Sequence, residues 1–276
     1  RLEVFVAIKG KDCGLVPSHD ALAELSLLAH NASAECTLSV IATASLWPVE
    51  EDMLFFTDSV DTWLIEDAAE PAMYLSEDTF ALLWGAPRLE TKRVLDACCG
   101  CGIQGIAALR YYAEEVTFVD LNPRVFGYVR LNLSMNCLSH KSAHVHVGSI
   151  NCADVLDTKP YDLVLANPPF IPNPQGIAED SSYMFGDGGE TGEEILIGLI
   201  KNIEKLLRPG GLLVSPAKTP NIKYLPYRLE RWYAAGAGAS ASFKACIFRG
   251  PARPINDRVP ASSPFEAERY VDALRR

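Results

Sequence analysis

The decapeptide YDLVLANPPF, Tyr161 to Phe170, limits the architecture more than any other stretch of this 276-residue chain. Its apolar run reads as a strand, and two consecutive prolines cannot continue a sheet interior, because each removes a backbone donor and fixes its own φ. The chain must therefore leave a sheet at Asn167 and carry that side chain to the rim. The residue before a proline is pushed into extended geometry, so Asn167, Pro168, Pro169 and Phe170 make a stiff loop rich in acceptors. The Asn167 side-chain oxygen and the Pro168 carbonyl suit the two hydrogens of a planar NH2 group, with the Phe170 ring over its face. The bland alternative is a surface turn, since Asn and Pro are frequent turn residues.

Upstream, RVLDACCGCGI (Arg93 to Ile103) is a second strand ending, through Asp96 and Cys98, in a small-residue turn from which a helical pattern opens. Gly100 and Gly102 permit positive φ and close approach of backbone to a ligand, as the strand-to-helix turn of a nucleotide-type site requires. EVTFVD (Glu115 to Asp120) then reads as a strand ending in an acid, 18 residues after Gly102. A carboxylate there accepts hydrogen bonds from both ribose hydroxyls. Taken singly, such a turn is shared with oxidoreductases and plain tight turns, and an acid after a strand also serves as a helix cap. Their order on three predicted strand ends is what a nucleotide-binding sheet needs.

Periodicity predicts a helix capped by Ser76 and running to about Trp84, a strand over 93–98, helices Ile103–Tyr112 and Pro123–Met135, and strands Ala143–Gly148 and Asp162–Ala166. A long helix Gly192–Leu207, closed by Pro209, Gly210 and Gly211, precedes a strand Leu212–Ser215 and a helix Tyr224–Ala234; Ala241–Phe248 reads as a sixth strand. Alternation of this kind gives an α/β, Rossmann-like, mostly parallel sheet with helices on both faces and ligands at the carboxyl ends of its strands. The first residues read differently: a strand Arg1–Ile8, a helix Asp20–His30 with Ser18 as cap, and β-rich stretches Cys36–Trp47 and Met53–Ile65. We therefore expect a smaller mixed α+β N-terminal unit over 1–75, serving as an accessory or substrate-recognition unit. A core over 76–248 follows, then a C-terminal arm over 249–276 in which Phe265–Leu274 reads as a short closing helix.

The three motifs together resemble a class I S-adenosylmethionine-dependent methyltransferase. Within that class, the Asn-Pro-Pro-aromatic ending and the segment FGDGGETG (Phe185 to Gly192) are most similar to the release-factor glutamine N5-methyltransferases and related small-domain methyltransferases. The resemblance covers roughly residues 76 to 217 and implies S-adenosyl-L-methionine as cofactor. It implies a methionine moiety beside Asp96, Cys98, Gly100 and Gly102, a ribose at Asp120 and Leu121, and an adenine near Ser149 and Ile150. Thr79 reaches the cofactor's carboxylate or is an exposed helix residue. Asn167, with Pro168, Pro169 and Phe170, faces both cofactor and acceptor. Cys98 stands where the family's first glycine usually stands, and the N-terminal unit is not the helical bundle of the release-factor enzymes.

The implied function is N-methylation of a planar nitrogen, a protein glutamine amide or a small amine or amide metabolite. Methylation of an exocyclic base amine in RNA or DNA, and a noncatalytic interaction module, are the alternatives. A net charge of −10 without a basic run favours a protein or small-molecule acceptor, because nucleic-acid binders take most of their nonspecific affinity from Lys and Arg contacts to phosphate. Cys98 and Cys101 form a CxxC, but a zinc site needs four ligands and no second such pair exists. No metal is expected, although a redox dithiol is a second reading of the pair. Eight cysteines read as free thiols of a reducing compartment, cytoplasmic or organellar, and no apolar run is long enough to span a membrane. The opening Arg1 leaves room for a presequence or a preceding domain.

Overall fold

A computed structural model describes residues 6–8, 40–42, 44–59, 74–151, 159–172, 186–217, 219, 222–236 and 244–247. Five strands form one parallel sheet: β5 (Thr91–Ala97), β6 (Ala113–Asp120), β7 (Ser142–Val147), β8 (Tyr161–Ala166) and β9 (Leu207–Val214), ordered β7-β6-β5-β8-β9. The order reverses between β5 and β8, whose ladder pairs Val94 with Leu163 and Ala97 with Ala166. Ligands collect at such a switch point because the connections on either side lead away in opposite directions. β5 and β8 are buried over Val94–Ala97 and Leu163–Ala166, as strands covered on both faces must be.

Helices α1 (Glu77–Gly85), α2 (Ile103–Tyr111), α3 (Val125–Met135), α4 (Glu194–Lys201), α5 (Ile203–Leu206) and α6 (Leu225–Gly236) complete the α/β layers. α2 is apolar almost all round and packs on β6, where Gly105 lets it approach so closely that an added Cβ would sit 2.7 Å from Val116. α4 and α6 meet through Leu196, Ile200, Leu225 and Leu229.

Four expected elements differ. The long helix over 192–207 is two helices, broken at Asn202, whose side-chain amide donates to the Gly198 carbonyl. Pro209, Gly210 and Gly211 do not close that helix; they lie inside β9, where the β8–β9 register shifts and Gly210 takes φ +81°. An irregularity of this kind admits a proline and a left-handed glycine into an edge strand. The second crossover helix starts at Val125 and not at Pro123, with the Arg124 N–H donating to Asn122 Oδ1 at 2.9 Å. Lys244–Ile247, within the expected sixth strand, carries no strand. The helix expected over 20–30 and the arm over 249–276 lie outside the described residues.

Two short antiparallel pairs come from the N-terminal region: β1 (Val6–Ile8) with β2 (Val40–Ala42), and the hairpin β3 (Ala44–Val49) with β4 (Met53–Asp58). The hairpin shares a core with the sheet through Val49, Met53 and Phe55. Its free edge is closed by two amides one helical turn apart on α3. Asn136 Oδ1 accepts the Leu54 N–H at 2.9 Å, and its Nδ2 donates to the Leu54 carbonyl at 2.7 Å. Asn132 does the same for Phe56, at 2.7 and 3.0 Å, and donates also to the Cys101 carbonyl at 2.9 Å. The i, i+4 spacing of a helix thus matches two alternate residues of a strand, whose backbone groups point the same way.

Candidate active site

The β5–α2 turn begins in the left-handed region at Cys98 (φ 55°) and returns to it at Gly100 (59°) and Gly102 (83°). Glycine occupies that region freely and cysteine at a cost. Asp120 stitches the turn to the end of β6. Its Oδ2 accepts the Gly100 N–H at 3.0 Å and its Oδ1 the Asn122 N–H at 2.9 Å. Each carboxylate oxygen retains a second lone pair, so the capacity for two ribose hydroxyls survives. Burial pushes the Asp120 carboxyl up, against those two N–H groups, which hold it down.

One cavity brings together Thr79, Cys98, Gly100, Asp120, Leu121, Ser149, Ile150, Asn167, Pro168, Pro169 and Phe170. Two expected cofactor residues do not line it. Asp96 is turned inward, 1% exposed, and accepts the Gly105 N–H at 2.8 Å, tying α2 to β5. Burial raises its carboxyl well above the usual range, and that hydrogen bond opposes the rise. Gly102 sits behind the turn, where a Cβ would press 3.0 Å from Val129. Thr79 is buried, not exposed, and its Oγ1 accepts the Ser76 N–H at 3.2 Å.

Among the lining residues that the sequence reading does not assign to the site are Tyr74, Asp78 and Gln104. Gln104 Nε2 donates to the Thr79 carbonyl at 2.8 Å, which leaves its buried Oε1 without a partner. Asp78 Oδ2 accepts from Ser76 Oγ at 2.9 Å and lies 3.4 Å from Asn167 Nδ2. Asp78 is a first-turn acid of α1, and the placement of α1 beside the end of β8 brings it to the cavity.

Asn167 is the centre of the second half. With its Nδ2 toward Asp78, its Oδ1 is buried without a hydrogen-bond partner, an expensive state for an amide oxygen unless a ligand completes it. The loop behind it is braced by the glycine-rich segment. The Ile171 N–H donates to the Gly186 carbonyl and the Gly188 N–H to the Ile171 carbonyl, at 2.8 and 2.9 Å. A Cβ on Gly188 would come within 2.8 Å of the Phe170 backbone, so the segment can press there only as glycine. Asp187 accepts the Gly189 N–H, and Glu194 those of Thr191 and Glu193, so both acids serve the turn's own backbone.

The lining fits the implied cofactor. S-adenosylmethionine is a cation whose ammonium, ribose hydroxyls and exocyclic amine are donors, and the cavity offers carboxylates and the partnerless Gln104 Oε1. Among the described residues no group of three His, Cys, Asp or Glu is placed to hold a metal, and Cys98, Cys99 and Cys101 are free thiols. Burial pushes the Cys101 thiol up to about 12 and raises the other two as well, so none is a ready thiolate.

Comparison with known proteins agrees. The family model "Conserved hypothetical protein 95" matches residues 75–184. A provisionally named protein N5-glutamine methyltransferase of Methanocaldococcus jannaschii is 28% identical over 164 residues, 58% of this chain and 77% of its own length. Ribosomal RNA small subunit methyltransferase D of Escherichia coli is 28% identical over 136 residues, 49% of this chain and 63% of its own. The chain is an S-adenosylmethionine-dependent methyltransferase. The matched stretches span 77% and 63% of these two relatives' own lengths. A solved S-adenosylmethionine-dependent methyltransferase of Agrobacterium tumefaciens aligns with a TM-score of 0.48 at 16% identity, over 76% of this chain and 68% of that one.

No helix among the described residues is long and apolar enough to cross a membrane.

Proposed function

We propose that this methyltransferase acts on a planar NH2 nitrogen, an amide or an exocyclic amine, held by Asn167. The observation that carries the reading is the buried Asn167 Oδ1, partnerless on the cavity wall while its own NH2 faces Asp78. An acceptor's N–H completes that oxygen, the Pro168 carbonyl takes the second hydrogen, and Phe170 covers the plane. When bound, S-adenosylmethionine would supply a sulfonium methyl: the carbon–sulfur bond breaks with its electron pair left on the thioether sulfur, the nitrogen–carbon bond forms, and the nitrogen's surplus proton leaves to water. Gln104 Oε1 and Asp120 hold that cofactor's donors, and Thr79, Ser149 and Ile150 close the remaining walls. Asp78 is a positioning residue: it fixes which end of the Asn167 amide faces the acceptor.

Orientation does most of the work. Alignment of two reactants is worth roughly 7–11 kcal/mol, against about 3–5 for a placed acid or base. Hydrogen bonds to the NH2 group also draw its lone pair out of conjugation as the new bond forms, an interaction strongest in the transition state. A protein glutamine or small amide is supported by the acidic chain and by the Methanocaldococcus jannaschii relative's name; a base amine is supported by the ribosomal RNA relative's name.

The test is transfer of radiolabelled methyl to fractionated protein, nucleic-acid and small-molecule pools. Asn167→Ala is expected to lower transfer by about 100-fold or more, the scale set by loss of one transition-state hydrogen-bonding group. Calorimetry should show cofactor binding intact; full transfer by the variant removes Asn167 from the reaction.

A further inference from the structure

The net charge of −10 conceals a local reversal. Between Ser215 and Arg231 the sequence has four lysines and arginines against one acid, Glu230. This segment follows the carboxyl end of β9, so it emerges on the same rim as Asn167 and Phe170. It leads through a short 3-10 turn (Ile222–Tyr224), on which Lys223 and Tyr224 are exposed, into α6, which buries Leu225 and Leu229 against α4 and presents Tyr227 and Arg231 outward.

The outward residues interleave rings with cations. Tyr224 is 53% exposed and Tyr227 60%. Lys223 Nζ stands 5.7 Å from the Tyr224 ring centre and the Arg231 guanidinium 5.8 Å from that of Tyr227. Two large exposed rings, each with a cation alongside, offer flat stacking platforms beside phosphate-binding charge. That combination suits single-stranded nucleic acid, whose bases stack on rings while its backbone follows cations. An acidic peptide or an anionic membrane uses the charge but has no bases to stack.

One ion pair ties α6 to the segment behind Phe170. Arg228, the cation on the inner side of α6, pairs with Glu193 at 3.2 Å, and Glu193 adjoins Gly192, which lies against the Phe170 carbonyl. Asp187 and Glu194, in the turn that leads into α4, accept backbone N–H groups of that turn.

We infer that the outer face of α6, with Lys223, Tyr224, Tyr227 and Arg231, is a docking surface for single-stranded nucleic acid and delivers a base amine to Asn167. This inference rests on the reading of Asn167 as the grip on a planar NH2 group and names the chemical class that carries it.

The probes are fluorescein-labelled 16-nucleotide single strands of one mixed sequence, as RNA and as DNA, followed by anisotropy against salt. The intact chain should bind with an affinity that falls as salt rises. Reversing two phosphate-facing cations (Lys223→Glu with Arg231→Glu) should weaken binding at least about tenfold at low salt. Tyr227→Ala should weaken it at least about fivefold, the lower end for one stacked base. All four side chains lie on the surface, and calorimetry with S-adenosylmethionine verifies that each variant is folded. Preference for RNA over DNA marks the 2′-hydroxyl as part of the recognition; equal binding leaves the single strand itself as the ligand. No binding by the intact chain overturns the inference, as does binding indifferent to the charge reversal. Binding that heparin matches and Tyr227→Ala leaves unchanged assigns the face to polyanions at large and equally overturns it. Failure of the site reading looks different: strands bind through α6, yet Asn167→Ala transfers methyl as well as the parent.

Discussion

Asn132 offers the sharpest test of how the N-terminal hairpin is held to the catalytic core. It is fully buried, and its one amide satisfies both backbone groups of Phe56 and the carbonyl of Cys101. Replacing it with alanine strands the deeply buried Cys101 carbonyl, at about 1–3 kcal/mol, and forfeits two part-buried bonds at about 0.5–1.5 kcal/mol each. A total of roughly 2–6 kcal/mol, about 4 at mid-range, is a large share of the 5–15 kcal/mol or so that keeps a domain folded. Asn132→Asp is more diagnostic, because the variant keeps the acceptor for Phe56 but turns a second oxygen on two carbonyls. Confronted so, the new carboxyl takes a raised pKa in the folded state. Its protonated form donates to one carbonyl, so the folded variant is favoured below the ordinary Asp value of about 3.9 and loses that advantage as pH rises through the higher folded value. Urea melts should place the midpoint of both variants about 1 M or more below the parent at pH 7.5, for a slope of ~3 kcal/mol/M. The gap for Asn132→Asp should narrow on acidification, and that for Asn132→Ala should stay. An Asn132→Asp protein that melts with its parent at pH 7.5 would refute the account of the hairpin's attachment.

Gly105→Ala pushes a methyl into Val116 and the Phe118 ring, and should cost about 1–3 kcal/mol of overpacking, read as a lowered urea midpoint. Asp162 is burdened by burial, but N–H groups of Arg93 and Lys92 and the Arg208 side chain outweigh that and hold its carboxyl below the usual value. Its contribution is therefore complete above the ordinary carboxylate range and lost as pH falls through the depressed folded value; parent and Asp162→Asn melts should converge there. In the folded protein at pH 8, iodoacetamide should label exposed Cys137 and spare Cys98, Cys99 and Cys101, whose thiols burial keeps protonated, as peptide masses will show.

Local signals carried much of the fold. β5 and β8 end where small residues or prolines forbid more ladder, and the sequence alone placed those ends within a residue. β9 was legible only in part, since Pro209 and Gly210 argue against a strand and the register shift that accommodates them is a property of the β8–β9 pairing. The same limit applies at the site. Asn167 announces itself through the prolines beside it, whereas Gln104 and Asp78 are ordinary helix residues until α1 and α2 are set against the sheet. Asp96 was expected to face the cofactor, yet a strand's alternation does not say which face its last acid takes, and the Gly105 N–H claims it. Asn132 and Asn136 left a trace that could have been found: two buried-type amides one turn apart on an otherwise apolar helix face.

The reversal of strand order divides labour along the chain. Cavity residues up to Ile150 belong to β5, β6, β7 and their flanks, and those from Asn167 onward to β8 and its successor, with one four-rung ladder joining the halves. A lineage can therefore inherit its nucleotide seat unchanged and trade the other half for a new clientele, and a chimera spliced between Val147 and Tyr161 would do so in one step. The tolerance of such a graft is set at the pairing of Ala97 with Ala166: slippage by a single rung carries Asn167 about 3.3 Å along the strand and inverts every side chain behind it.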